Sequence, residues 1–225
     1  MKKQYKLGVI GGGFMARAIL QGAVRSEFIK AKKVIVADPS QSALAQLEEL
    51  GVECTRDNRV VAANCEYLLI AVKPQTFAAV AEDLHEVSVD KIITIMAGVR
   101  KEKIRAALPW ALPKIARAMP NLPCSVGAGM TALDLSDFDG EIDDCAFIHS
   151  IFDNVGNVLE VPEEKLNAVT GISGSGPAYV YMFIDGLVRA GMKQGLTEDE
   201  AKTLAVNTVA GGAEMVAHAE DKSLD

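Results

Sequence analysis

The stretch Lys6-Leu7-Gly8-Val9-Ile10-Gly11-Gly12-Gly13-Phe14-Met15-Ala16 decides the fold of this chain. A short apolar run of strand type meets three glycines, and a helical pattern (Ala16, Ile19, Leu20, Ala23) follows at once. Set against G-x-G-x-x-G/A, Gly11 supplies the tight turn and Gly13 lets a pyrophosphate approach the backbone. Ala16 permits close helix–strand packing. The N–H groups opening that helix lack intrahelical acceptors and face the phosphates, an arrangement the helix dipole also favours. A tight strand-to-helix turn with no ligand is the competing reading of the same glycines.

Outward from that turn, Lys33-Val34-Ile35-Val36-Ala37 reads as a second strand ending at Asp38. An acid about 20 to 25 residues past the glycines is where NAD binders meet the ribose 2′-hydroxyl. Asp38, followed by Pro39 and Ser40, reads equally well as the cap of the next helix. That helix spans Ser42 to Leu50 and closes at Gly51. Val52 to Cys54 is a brief strand before a polar loop through Asn58.

Tyr67 to Val72 is a continuous apolar strand of the kind buried on both faces of a parallel sheet, and it runs into Lys73-Pro74-Gln75. Lys91 to Met96 repeats the design and ends at Ala97-Gly98-Val99. Both loops leave the carboxyl edge of the strands, where open α/β sheets bind ligands. Lys114 to Met119 leads into Pro120-Asn121-Leu122-Pro123, a loop stiffened by two prolines, in which Asn121 offers both donor and acceptor. Gly127 to Leu133 and Val155 to Val161 read as later strands around a helix at Asp144 to Phe152. The alternation predicts an α/β, doubly wound sheet with right-handed crossovers over residues 1–161.

Near Pro162 the character changes to helix only. Gly171-Ile172-Ser173-Gly174-Ser175-Gly176-Pro177 is a glycine-serine loop with proline placed for a helix's first turn. Tyr179, Met182, Phe183, Gly186, Leu187 and Ala190 then form one apolar stripe, and Thr197 with Glu200 makes a capping box for a further helix. Two amphipathic helices cannot enclose a core alone. Residues 162–225 are therefore expected to pack on the first domain or, by preference, on another chain.

The 225 residues carry a net charge of −7, which argues against nucleic acid or an anionic membrane as the main partner. No apolar run approaches the ~18 residues of a membrane helix, and the few apolar residues after the basic start are too short for a signal peptide. Cys54, Cys65, Cys124 and Cys145 form no C-x-x-C pair and do not cluster with His85, His149 or His218. No metal site is expected. Buried free thiols in a reducing, cytoplasmic compartment are the simplest reading. The three histidines are given no role, and Trp110 is expected to pack.

The residues resemble pyrroline-5-carboxylate reductase over nearly the whole chain. The resemblance is carried by Ile10 to Met15, Ala71-Val72-Lys73-Pro74-Gln75, Ala97-Gly98-Val99, Arg117-Ala118-Met119-Pro120-Asn121 and, most specifically, Ala168 to Tyr179, with Gly191 to Leu196 following. It implies an N-terminal Rossmann-type domain that binds NADPH or NADH and an all-helical dimerisation domain, in a homodimer or higher homo-oligomer that shares its active sites. By matching position, the cofactor is expected at Ile10, Gly11, Gly12, Gly13, Phe14, Met15, Asp38, Asn58, Ala71, Val72, Lys73, Pro74, Ala97 and Gly98. The substrate, 1-pyrroline-5-carboxylate, is expected at Ser173, Gly174, Ser175, Gly176 and Glu220.

Two departures stand out. A carboxylate at Asp38 would repel a 2′-phosphate, which favours NADH more than the family default implies. The family's Ser-Pro-Gly-Gly-Thr-type loop, whose threonine bonds the substrate nitrogen, is expected beyond Asp225, so the helical domain is expected to be incomplete here.

The implied reaction moves a hydride to the C=N carbon of a cyclic imine bearing one carboxylate. A protonated imine is already electrophilic, so positioning and electrostatics are the protein's task, and no residue is assigned as catalytic. The N–H groups of the Gly171 to Pro177 loop suit the carboxylate, with hydroxyls from Ser173 and Ser175. Tight helix packing is the plainer use of the same small residues. Lys73 suits the cofactor through its backbone, or is a solvated charge. A related reductase of another imine or of a 3-hydroxy acid, and a nucleotide-binding regulatory protein without turnover, are the alternatives.

Overall fold

A computed structural model describes residues 3–219. Eight strands form one sheet: β1 (Tyr5–Ile10), β2 (Val34–Ala37), β3 (Glu53–Thr55), β4 (Cys65–Ile70), β5 (Lys91–Thr94), β6 (Lys114–Met119), β7 (Gly129–Asp134) and β8 (Gly156–Glu160). Helices α1 (Phe14–Arg25), α2 (Gln41–Glu48), α3 (Asn58–Asn64), α4 (Phe77–Asp83), α5 (Lys101–Ala107), α6 (Ile142–Asp153) and α7 (Leu166–Val169) intervene. The strand order is β3-β2-β1-β4-β5-β6-β7-β8, parallel from β3 through β6.

The expected α/β sheet is thus present, with one change. β7 runs antiparallel to β6, and β8 runs parallel to β7. The cause is the connection. Only residues 120–128, including the tight turn Leu122–Val126 and the left-handed Gly127, join β6 to β7, and a parallel crossover needs a dozen or more residues.

Alternation along the strands divides the core into two layers. Leu7, Val9, Val34, Val36 and Leu69 face one side with Ile19 and Leu20 of α1 and Ile148, Ile151 and Phe152 of α6. Ile10, Ile35, Leu68, Ile70 and Ile92 face the other, with Phe77 of α4 and Ile104 of α5. Burial on both faces explains why these strands read as unbroken apolar runs.

One difference from the expected elements lies after β3. The supposed polar loop through Asn58 opens helix α3, capped by Asp57, whose carboxylate accepts from the N–H groups of Arg59 and Val60. Gly51 ends α2 with φ +78°, as expected.

Lys101 opens α5 beneath the surface, with a side chain only 4% exposed. Its ammonium pairs with Asp134 and, at 3.2 Å, with Asp137, and donates to Ser136 Oγ at 2.9 Å. Burial pushes the Asp137 carboxyl up, but the Ile115 N–H, Arg105 and Lys101 outweigh it and hold the group below its ordinary range. Glu163 behaves alike: desolvation raises it, while the Lys101 N–H at 2.8 Å and Arg117 at 3.0 Å lower it further. These ions join α5, β6, β7 and the segment after β8.

The chain divides into two compact units, Met1–Gly174 and Ser175–Asp225. By its contacts the stretch 162–174 goes with the first unit. In the second, α8 (Gly176–Lys193) and α9 (Glu198–Ala217) pack as a helical hairpin around the turn at Gly195. The expected capping box opens α9: Thr197 Oγ1 accepts from Glu200 N–H, and the Glu200 carboxylate accepts from Thr197 N–H at 2.8 Å. No helix among the described residues is long and apolar enough to cross a membrane.

Removing the buried ammonium should leave Asp134 uncompensated. Lys101→Ala is expected to cost about 3–5 kcal/mol in urea unfolding; a loss below about 1 kcal/mol would mean that Asp134 is not held by this pair.

Candidate active site

The site begins where β1 ends. Gly11 N–H donates to the Ala37 carbonyl at 2.8 Å, and Ala71 N–H donates to the Ile10 carbonyl at 2.8 Å. The chain therefore leaves β1 through the gap between β2 and β4. Gly11 makes this turn with φ +101°, and a Cβ there would lie 2.7 Å from the Ala71 carbonyl oxygen. Only glycine satisfies both demands.

Gly13 is different. It stands at the N-cap of α1 with ordinary extended backbone, and a Cβ on it would meet nothing within 4 Å. Open space thus fronts the first turn of α1, where the amides of Gly13, Phe14 and Met15 have no intrahelical acceptor. Gly12 turns inward. Its N–H donates to Asp38 Oδ2 at 2.7 Å.

That bond separates the two readings of Asp38. Ser40, not Asp38, is the N-cap of α2, accepting from Ala43 N–H. Asp38 Oδ1 takes the Ser40 N–H at 2.8 Å, so the carboxylate sits at the end of β2 bound to two amides.

A cavity of about 430 Å³ opens along this edge, lined by Ile10, Gly11, Gly13, Ala37, Asp38, Asn58, Ala71, Val72 and Lys73. Pro39, Arg56, Thr76, Ala79, Val80 and Asp83 complete it, none of which was expected to meet the cofactor. Arg56 donates to Gln41 Oε1 at 2.9 Å, and Asn58 Nδ2 donates to Asp83 Oδ2 at 2.8 Å. Asp83 ends α4, distant in sequence, and only the packing of α4 beside α3 brings it here.

The other expected cofactor residues stand off this cavity. Phe14 is half-exposed on α1, and Pro74 opens a tight turn after β4. Ala97 and Gly98 follow β5, Gly98 with φ +71° beside a separate depression lined by Arg100, Glu102 and Lys103. A second cleft near β7 and β8 is lined by Asp134, Asp139, Glu160 and Cys145. Its carboxylates make it a poor seat for an anionic ligand.

Of the expected substrate residues, Ser173 and Gly174 lie in a π-helical turn, Thr170–Gly174. Asn121 holds this turn through bonds to Ser173 O and Oγ at 3.2 and 3.3 Å. Ser175 is the N-cap of α8 and Gly176 its first residue, with Pro177 next, as the proline signal implied. Glu220 lies outside the described residues. His218, the C-cap of α9, bonds Glu214 Oε1, and His85 stacks near Trp110.

The geometry fits a dinucleotide: an open helix N-terminus, a glycine turn that admits no side chain, and a groove running between the ends of β2 and β4. Comparison with known proteins agrees. Residues 6–98 match a family model described as NADP oxidoreductase coenzyme F420-dependent, and residues 163–225 match one described as pyrroline-5-carboxylate reductase dimerisation.

A pyrroline-5-carboxylate reductase of Synechocystis sp. is 41% identical over 96% of this chain and 80% of its own length. Pyrroline-5-carboxylate reductase 3 of Rattus norvegicus is 32% identical over 96% and 79%. Among solved structures, the Coxiella burnetii pyrroline-5-carboxylate reductase superposes with a TM-score of 0.85 at 33% identity, covering 97% of this chain and 82% of that one. The Plasmodium falciparum pyrroline carboxylate reductase, solved with NADP bound, gives 0.82 at 29%, covering 98% and 82%.

The two outer glycines should separate experimentally. Gly11→Ala is expected to lose about 1–3 kcal/mol from strain at positive φ, whereas Gly13→Ala should stay within about 0.5 kcal/mol of the parent. Equal losses in thermal unfolding would contradict the turn described. The turn, the groove and the matches at both ends of the sequence lead to one assignment: the chain belongs to the pyrroline-5-carboxylate reductase family.

Proposed function

We propose that this chain reduces 1-pyrroline-5-carboxylate to L-proline with NAD(P)H, the closing step of proline biosynthesis. The observation that carries the reading is a nucleotide-sized groove at the carboxyl edge, in a chain 41% identical to a reductase of that name over 96% of its length.

Bound along that edge, NAD(P)H would supply the hydride for the imine carbon, and the protonated imine nitrogen, keeping its proton, would become the amine of proline. The amides of Gly13, Phe14 and Met15 hold the pyrophosphate at the start of α1. Gly11 and Gly12 shape that turn beside Ile10, and Asn58 lines the nucleotide groove. The backbone from Ala71 through Val72 and Lys73 to Pro74 would hold the dinucleotide, and Ala97-Gly98 would border its nicotinamide end. Ser173, Gly174, Ser175 and Gly176 receive the substrate carboxylate, chiefly through backbone N–H groups, and the resemblance adds Glu220 to that pocket. Binding and orientation suffice, because a protonated imine already accepts hydride.

Asp38 sets the nucleotide preference toward NADH. Its carboxylate occupies the Gly12 and Ser40 amides, donors that a 2′-phosphate would otherwise use, and it repels that phosphate. Its free acceptor capacity suits a ribose 2′-hydroxyl. Arg56, the cation in the same groove, is bonded to Gln41.

The chain works as a homo-oligomer, and the C-terminal helices form the dimer contact. Tyr179, Met182 and Phe183 on α8 are 57%, 74% and 61% exposed in the single chain, a burden in water that a second copy removes. Four free thiols fit the reducing cytoplasm.

The test is steady-state oxidation of NADH and NADPH with and without pyrroline-5-carboxylate. Turnover that depends on the imine is expected; nucleotide binding with no turnover would favour a regulatory role. Asp38→Ser should raise the NADPH-to-NADH ratio of kcat/KM by about tenfold, roughly 1.4 kcal/mol. An unmoved ratio would mean that the acid never meets the ribose.

A further inference from the structure

We propose that Asn121 is a positioning residue of the reductase, fixing the bend at Ser173 to the cofactor edge of the sheet. The inference rests on the function proposed above.

Asn121 follows β6 after Pro120 and is 9% exposed. It stands where the next tight turn begins, yet its side chain does not cap that turn. Its carboxamide is used elsewhere. Oδ1 accepts from Met130 N–H at 2.9 Å, and Nδ2 donates to the Ser173 carbonyl at 3.2 Å and to Ser173 Oγ at 3.3 Å. Ser173 Oγ in turn reaches the Met130 carbonyl at 3.5 Å, closing a ring of bonds. A backbone N–H only donates and a carbonyl only accepts, so the amide has one orientation here, and a carboxylate could not replace it.

Topology gives this ring its meaning. β5 and β6 are parallel, so Ala97-Gly98 after β5 and Pro120-Asn121 after β6 leave the same edge of the sheet. β7 runs backward, so Met130, near its start, returns to that edge. Asn121 therefore ties Ser173 to the strand next to the one that carries the nicotinamide loop.

The bend also has little room to slide. A Cβ on Gly174 would lie 2.8 Å from Met119 Cε at the end of β6. Between residues 170 and 174 the backbone follows π-helical geometry, a form that recurs at functional sites.

The chemical consequence is a distance. Hydride transfer needs the imine carbon close to the donor and aligned with it, and a misplacement near 1 Å costs about 10²-fold. Ser173 uses its hydroxyl within the ring, so its contribution to substrate is the backbone that Asn121 immobilises. The side chain touches neither reactant and acts through the bend.

Asn121→Asp keeps the size and the acceptor for Met130 but turns the donor toward Ser173 into a second acceptor. In the full-length protein, kcat/KM for pyrroline-5-carboxylate is expected to fall about 10- to 100-fold. The Kd for NADH and for NADPH, read by fluorescence titration, should stay within about twofold and Tm within about 3 °C. Asn121→Ser, too short to reach Ser173, should show the same split. Unchanged imine kinetics would overturn the proposal, as would a loss of nucleotide affinity or of Tm in both variants that accounts for the kinetic loss. Failure of the parent protein to turn over the imine while binding nucleotide would instead reject the function on which the proposal rests.

Discussion

The structure depends on the way the backbone leaves β1. The strand ends between two neighbours, and the chain passes within hydrogen-bonding distance of both, with Gly11 bonded to Ala37 and Ala71 bonded to Ile10. A side chain at Gly11 would press on the Ala71 carbonyl, so the spacing of three central strands and the shape of the groove share one condition. From that exit follow the direction of α1, the open space before its first turn and the placing of Asp38 beside Gly12. Binding geometry here is a product of strand packing more than of any catalytic side chain.

A second set of forces keeps the far side of the edge in register. Lys101, Asp134, Asp137, Arg117 and Glu163 are gathered where α5, β6 and β7 meet, and they fasten the start of α5 to the segment that follows β8. Charges buried this way contribute little net stability relative to apolar packing, but they punish misalignment severely. Asn121 does the same with neutral groups a few residues along. Glu163 and Ser173 are thus two fixed points on the stretch that leads toward α8, one held by Arg117 of β6 and the other by Asn121 just after it.

Much of this was legible in the residues. Apolar runs stopped by the glycines at Gly11, by Asp38 and by Pro120 located β1, β2 and β6, and the Thr197/Glu200 pair announced its capping box, because each signal is local. Helix α3 escaped notice since seven residues are too few to show a period, and only Asp57 marked its start. The reversal of β7 was hidden in a loop length, not in composition. Lys101 is buried beside carboxylates more than thirty residues later, a partnership no local pattern encodes. Arg56 and Asp83 reached the groove through helix packing, which no spacing along the chain encodes. Asp38 was ambiguous until Ser40 proved to be the cap.

The reversed strand also bears on how the chain gathers itself. Met119 pairs with Ala132, whereas Tyr5 must find Cys65, a loop roughly four times longer, which costs about 1 kcal/mol more to close by the logarithmic growth of closure entropy. The β6–β7 joint is the most local pairing in the sheet, in a topology otherwise made of distant partners. The least costly closure therefore lies mid-chain, beside Asn121, while the strands that frame the turn at Gly11 close over longer loops.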